Sequence, residues 1–238
     1  MLSVVVCSID PQKQRAIRAE YDRAVNEPYE FIPIVAPRSL AEGYNRGFAL
    51  AAGDIIVFSH DDIEIHSAQL AGSLRAALGE FDLVGIAGTS RLANAGWPAA
   101  GQPYLHGSIT QVDRSGQRWL CLYGPPSDKI EALDGVFLAA RKDVCAAVPF
   151  DQITFDGFHL YDLDFSHRAF LQGFKLGICE IEITHHSVGR YDDKWLQYAD
   201  RFLAKHRGSL RPNLLRSNGP QWTKIPLGPT DPPTRPQI

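Results

Sequence analysis

At 238 residues, with 45% apolar and 21% charged side chains, the chain can fill one large globular core or two small ones. A formal net charge of -3 without any Lys/Arg block excludes an extended nucleic-acid or anionic-membrane surface. The four scattered cysteines lack metal-type spacing, and no apolar run approaches the roughly 20 residues that span a bilayer. With no basic leader at its start either, the chain is expected to be cytoplasmic and without an integral membrane segment.

Residues 2–7 form a continuous apolar, β-branched run, the pattern of a strand buried on both faces. Pro11 suits the first turn of a helix in which Ile17, Tyr21, Ala24 and Val25 recur at helical spacing. Residues 31–35 predict a second strand. Ser39, with Glu42 three residues on, forms a capping-box pattern that opens a helix closed by Gly53. Residues 55–58 predict a third buried strand, Leu70, Leu74, Ala77 and Leu78 an amphipathic helix, and residues 83–87 a fourth strand. This alternating order predicts a parallel sheet covered by helices on both faces.

Beyond residue 90 the alternation stops. Residues 105–123 predict a β-hairpin turning at Asp113-Arg114-Ser115-Gly116, with Trp119 and Tyr123 on its return arm. Further strands are expected at 136–140 and 177–184, and helices from Asp162 to Gly173 and from Trp195 to His206. The segment 208–238 holds 7 of the 16 prolines and little apolar periodicity, so it is expected to be an extended or partly disordered tail.

The run Phe58-Ser59-His60-Asp61-Asp62-Ile63-Glu64 follows a buried strand directly. Its polar residues therefore fall at the carboxyl edge of the sheet, where open α/β folds bind ligands. Two acids and a histidine are costly to crowd unless a cation or hydrogen-bond donors offset them. A solvated acidic loop is the plainer alternative.

Asn45-Arg46-Gly47 in a helix, then Ala51-Ala52-Gly53-Asp54, an apolar strand and His60-Asp61-Asp62 resemble the nucleotide-sugar region of inverting, family 2-like GT-A glycosyltransferases. The His-Asp-Asp wording is most similar to a bacterial branch that includes proteins of streptomycin-type biosynthetic clusters. Leu133-Asp134-Gly135 resembles the family's acceptor-side glycine and strand. Tyr161-Asp162-Leu163-Asp164, with Arg168, is similar to its Glu-Asp-x-Asp helix start, and Thr184-His185-His186-Ser187-Val188-Gly189-Arg190 to its C-terminal histidine segment. The three blocks keep the family's order over roughly residues 2–205.

The resemblance implies an α/β GT-A fold: a Rossmann-like half over about 1–90 and an acceptor half over 91–207, in one domain. It implies transfer of a sugar, with inversion, from a nucleotide-diphosphate-sugar to a hydroxyl of a saccharide or small-molecule acceptor. The expected cofactor is a divalent metal, Mn²⁺ or Mg²⁺. Asp62 matches the main carboxylate ligand and His185 the distal ligand, with His186 as its competitor. His60 stands where the first acid is usual, and either ligates the metal or hydrogen-bonds the ribose or a phosphate. Asp162 matches the general base, although Tyr161 replaces the glutamate before it. Ser8, Asp10, Asn45, Asp61, Asp134, Gly135 and Arg190 fall at nucleotide-sugar positions. Where an acid usually ends the second strand, Ala36-Pro37-Arg38 stands instead. Trp97, His106 and Trp119 lie in the irregular region where acceptors dock, as candidates for stacking on sugar faces.

Three other readings remain. A catalytically silent GT-A domain, binding a sugar nucleotide or a partner, is suggested by His60 and Tyr161 at usually acidic positions. A sugar-1-phosphate nucleotidyltransferase would want a glycine-rich basic loop where Ser8-Ile9-Asp10-Pro11 stands. A metal-dependent hydrolase lacks a tight histidine motif.

Overall fold

A computed structural model describes residues 1–189, 191–211, 222–228 and 231–233. In chain order the strands are β1 (Leu2–Ser8), β2 (Tyr29–Val35), β3 (Ile55–Ser59), β4 (Ile63–Ile65), β5 (Leu83–Gly85), β6 (Ala87–Thr89), β7 (Leu105–Val112), β8 (Arg118–Gly124), β9 (Ala132–Leu133), β10 (Phe137–Arg141), β11 (Leu176–Ile178), β12 (Ile183–His185) and β13 (Thr223–Leu227). The helices are α1 (Pro11–Ala24), α2 (Leu40–Leu50), α3 (Leu70–Glu80), α4 (Lys142–Ala147), α5 (Tyr161–Leu171) and α6 (Asp193–His206).

Six strands form the central sheet in the order β11-β5-β10-β3-β1-β2. β1 runs parallel to β2 and β3, and β11 parallel to β5, but β10 inserts antiparallel between β3 and β5. The sheet is therefore mixed, and the simple parallel order expected from the alternation is corrected at this point. An antiparallel insert from a distant segment leaves no mark on the local periodicity of β3 or β5. The expected strand at 83–87 also divides: β5 stays in the central sheet, while β6 pairs with β7 and β9 in a second sheet. That second sheet runs β13-β8-β7-β12-β4 and carries the predicted hairpin as β7 and β8. The single strand expected at 177–184 is likewise two, β11 and β12, one in each sheet.

The starts of α1 and α2 follow their caps. The Asp10 carboxylate accepts from Gln12 N at 2.7 Å ahead of Pro11, and α1 buries Ile17, Tyr21 and Ala24. Ser39 Oγ accepts from Glu42 N at 3.1 Å, while the Glu42 carboxylate accepts from Arg38 N rather than closing the box on Ser39. α2 ends at Leu50, short of Gly53. Gly53 serves packing instead: a Cβ there would lie 2.5 Å from Ser3 Oγ and from the Met1 carbonyl.

The last two helices are tied by buried charge. Asp164 is fully buried and accepts from Arg168 Nε at 2.7 Å, His206 Nε2 at 2.8 Å and Lys205 Nζ at 2.6 Å. A buried carboxylate with three donors is compensated, and it holds α6 against α5. Within the proline-rich segment, Thr223–Leu227 adds β13 to the second sheet, antiparallel to β8. Among the described residues, no helix is long and apolar enough to cross a membrane.

Candidate metal centre and active site

His60, Asp61 and Asp62 occupy the turn between β3 and β4, at the carboxyl end of the central sheet. β4 then pairs antiparallel with β12, placing Ile63 opposite His185, and His186 N donates to the Asp62 carbonyl at 2.9 Å. This ladder brings together residues more than 120 positions apart in sequence. Strand alternation then separates the two histidines. His185 is buried with Nε2 3.2 Å from Asp62 Oδ1, whereas His186 is exposed and points to Glu64, at 2.7 Å.

His60 Nδ1 completes the cluster, 3.3 Å from His185 Nε2 and 3.8 Å from Asp62 Oδ1. One donor atom from each of His60, Asp62 and His185 lies within 4.8 Å of the others. Around an ion with bonds of about 2.0–2.2 Å, neighbouring donors sit roughly 3.0–3.6 Å apart. Two of the separations, 3.2 and 3.3 Å, fall in that range and the third, 3.8 Å, lies just beyond it, and two imidazoles with a carboxylate are a suitable donor set.

The protonation states also fit. Burial, then the neighbouring His185, pulls the His60 imidazole down to about 4, so it is neutral at pH 7 and has a lone pair to offer. Burial pushes the Asp62 carboxyl up, but the His185 hydrogen bond and the charges of His185, His60 and Lys13 outweigh it and hold it below the usual range. His185 Nδ1 is buried and has no hydrogen-bond partner among the described residues.

Behind the cluster sits Tyr161, which the sequence marked only as a missing acid. Its hydroxyl lies 3.0 Å from His60 Nε2 and 3.4 Å from the Gly135 carbonyl. It therefore links the metal candidates to the turn between β9 and β10.

On the other flank, Ser8 Oγ donates to Asp61 Oδ2 at 2.6 Å. Lys13 Nζ, half-exposed, sits 3.6 Å from Asp61 and 3.8 Å from Asp62. Sequence reasoning missed Lys13, although its place one turn after the capping Asp10 aims it back at the loop. Asp10 uses its carboxylate as the α1 cap. Asn45 is not brought to this cluster, because its amide donates to the Phe150 carbonyl at 2.8 Å and accepts from Phe150 N at 2.9 Å. Ala36 adopts φ 47°, a left-handed conformation costly for alanine, at the end of β2. Arg190 lies outside the described residues.

Two carboxylates, Asp134 and Asp162, form a second focus. Asp134 accepts from Trp97 Nε1 and Val136 N, each at 3.0 Å. Asp162 stands in the first turn of α5, and Leu160 before it is held at φ 60°. Burial, then the Asp134 charge, raises the Asp162 carboxyl to about 7, against the opposing pull of the backbone N–H groups of Leu163, Asp162 and Gly135. Such a value suits a group that takes up a proton near neutral pH.

Gly135 makes room for it. A Cβ at this position would meet Asp162 Cβ at 2.5 Å and Oδ2 at 2.6 Å. Gly135→Ala is expected to push Asp162 aside and cut turnover by about 100-fold. Nucleotide binding in the presence of metal should persist, which steady-state kinetics beside a thermal shift will check.

The aromatic candidates fall elsewhere than expected. Trp97 is buried under Asp134, His106 is buried between Ser90 Oγ and the Pro125 carbonyl, and Trp119 donates to Asp113 in the hairpin turn. Phe158 and Tyr191 are exposed aromatic rings, at 55% and 70%. His159 and Asp192 approach to 3.9 Å and bring the two segments together.

The mixed sheet flanked by helices, with the His-Asp-His cluster at its carboxyl edge, has the GT-A fold of the solved glycosyltransferases it resembles. Residues 3–206 match the glycosyltransferase-like family, and the chain belongs to it. Its structure is similar to the mannosyltransferase PcManGT from Pyrobaculum calidifontis, solved with GDP-Man and Mn²⁺. That likeness has a TM-score of 0.55 at 10% identity, over 89% of this chain and 65% of that one. It is also similar to GalNAc-T7, solved with UDP, GalNAc and Mn²⁺, with a TM-score of 0.54 at 10% identity, over 87% of this chain and 48% of that one. The chain thus spans less than two thirds of either protein's length. No curated protein matches it by sequence.

Proposed function

We propose that the chain is an inverting, metal-dependent glycosyltransferase that moves a sugar from a nucleoside-diphosphate donor to an acceptor hydroxyl. The observation that carries this reading is the adjacency of two unlike sites. The His60, Asp62 and His185 donor atoms are linked through Tyr161 to Gly135, and Gly135 packs on Asp162.

A divalent ion held by those three residues, Mn²⁺ or Mg²⁺, would offset the charge developing on the departing diphosphate. Ser8 and Asp61 lie on the nucleoside side of the cluster, Asp10 with them through its backbone, and Asn45 braces the loop at Phe150. Arg190 remains the candidate grip on the diphosphate, suited by its permanent charge and planar fork. Asp162 takes the proton from the attacking hydroxyl of a saccharide or small-molecule acceptor, and Asp134 orients that hydroxyl or the donor sugar. The finer likeness to the streptomycin-type branch rests on the His60-Asp61-Asp62 wording alone.

The silent-domain alternative drew on His60 and Tyr161 as lost acids. In the fold these two touch each other and serve one cluster, which argues for a site rebuilt around them.

The test is a thermal-shift panel of UDP, GDP, CDP and dTDP, each with Mn²⁺, Mg²⁺ or EDTA. At about 100 times its Kd, a ligand of the native state adds about 2.7 kcal/mol, or roughly 5–10 °C for a chain of this size. One nucleotide is expected to give that shift with metal and lose it with EDTA. No shift with any pair would sink the transferase reading.

A further inference from the structure

Among the described residues, Lys13 is the only Lys or Arg within ion-pair distance of Asp61 or Asp62. Its ammonium lies 3.6 Å from Asp61 Oδ1 and 3.8 Å from Asp62 Oδ2, too far for a hydrogen bond to either. The opposite oxygens of both carboxylates are already engaged. Asp61 Oδ2 accepts from Ser8 Oγ at 2.6 Å, and Asp62 Oδ1 faces His185 Nε2 at 3.2 Å. The ammonium therefore balances charge without being fastened. A half-exposed ion pair of this kind adds little to folding.

Its place in the fold gives it a second anion to meet. α1 starts just past Ser8, the last residue of β1, on the side of the cluster where the nucleoside is placed above. The N–H groups of that helix start are partly spent: Asp10 Oδ1 accepts from Gln12 N at 2.7 Å, and the Asp10 carbonyl from Gln14 N at 2.9 Å. The Lys13 ammonium, a compact charge with three rotatable donors on a flexible stem, is the cation there suited to a phosphate. Charge decides when it can leave. Two carboxylates outnumber one ammonium, so the turn by itself repels a diphosphate. A dication on Asp62 reverses that sign and frees the ammonium.

We propose that Lys13 is an exchangeable counter-ion: it offsets Asp61 and Asp62, and passes to a phosphate oxygen of the nucleoside diphosphate when a dication takes Asp62. The exchange makes ion and diphosphate bind better together than apart, and such coupling is reciprocal. It rests on the metal-dependent transferase reading and adds to it the residue that ties the two ligands together.

Calorimetry on the full chain, without a polyhistidine tag, measures Mn²⁺ alone and then UDP, GDP, CDP and dTDP with and without saturating Mn²⁺. Lys13→Met keeps the stem and removes the charge, and its half-exposed site should leave the fold intact. The variant is expected to bind Mn²⁺ alone about fivefold or more tightly, the effect of one charge a few ångströms away in water. With Mn²⁺ present it should bind the preferred diphosphate about 10–100-fold more weakly, the loss of a charge-assisted hydrogen bond. A purely structural lysine would weaken both. Lys13→Arg, which keeps the charge, should restore most of both values.

The unmodified chain offers a readout that needs no variant. Acetylation of its lysines, mapped by mass spectrometry, should mark Lys13, and the preferred diphosphate with Mn²⁺ should protect it where Mn²⁺ alone does not. Weaker Mn²⁺ binding by Lys13→Met, an unchanged diphosphate affinity, or no protection of Lys13 would overturn the inference and leave the transferase standing. Failure of the unmodified chain to bind any of the four diphosphates with Mn²⁺ would overturn both.

Discussion

Asp162→Asn is expected to lower transfer by about 10²–10⁴-fold, the range for loss of a general base, while the metal-dependent nucleotide shift stays at its wild-type size. The amide keeps the volume of the carboxylate beside Gly135 and cannot accept the acceptor's proton. The wild-type profile should carry the signature of the same group. Its carboxyl is raised to about 7 by burial and then by Asp134, so activity should climb through that pH and level off above it. The Asn variant should lose that limb.

Stability should move the opposite way. A carboxyl whose folded pKa lies above its unfolded value holds its proton more tightly in the fold. Its ionised form therefore costs stability above about pH 7, and the cost fades as pH falls towards 4. Asp162→Asn should accordingly stabilise the chain at pH 8, by up to about 4 kcal/mol, and leave it nearly unchanged at pH 4. Equal Tm values for the two proteins at pH 8, with unchanged turnover, would return Asp162 to the role of a helix-start acid.

The alternating half was legible because β1 and β3 are buried on both faces and α1 and α2 begin at local caps. Asp10 and Ser39 announce α1 and α2 from within four residues, and β1 and β3 are unbroken apolar runs. What the sequence hid was non-local. β10 lies antiparallel between two parallel strands, and β4 is three residues long, too short to show a period. The cluster depends on that short strand, since its pairing with β12 decides that His185 faces in and His186 out. Asp62 and Asp162 were marked by resemblance to a family, not by spacing. Lys13 escaped because a half-exposed lysine on a helix carries no pattern of its own. Trp97 is buried and gives its indole N–H to Asp134, a contact between distant segments that no local pattern announces.

Asp62→Ala should erase the nucleotide shift produced by metal, the whole of the roughly 5–10 °C expected at saturation. Asp62 is the only carboxylate among the three donors, and without it two imidazoles face each other at 3.3 Å with no charge to balance a dication. The fold should tolerate the change, since the bond from His186 N at 2.9 Å goes to the Asp62 main-chain carbonyl and keeps β4 against β12. In EDTA the variant should therefore lose no more than about 1–2 kcal/mol, the worth of a partly exposed charged hydrogen bond to His185. The contrast between the two conditions is what decides. A loss confined to metal and nucleotide makes Asp62 a ligand. An equal loss in EDTA makes it a structural anion for His185 and Lys13, and the metal would then have to be held elsewhere.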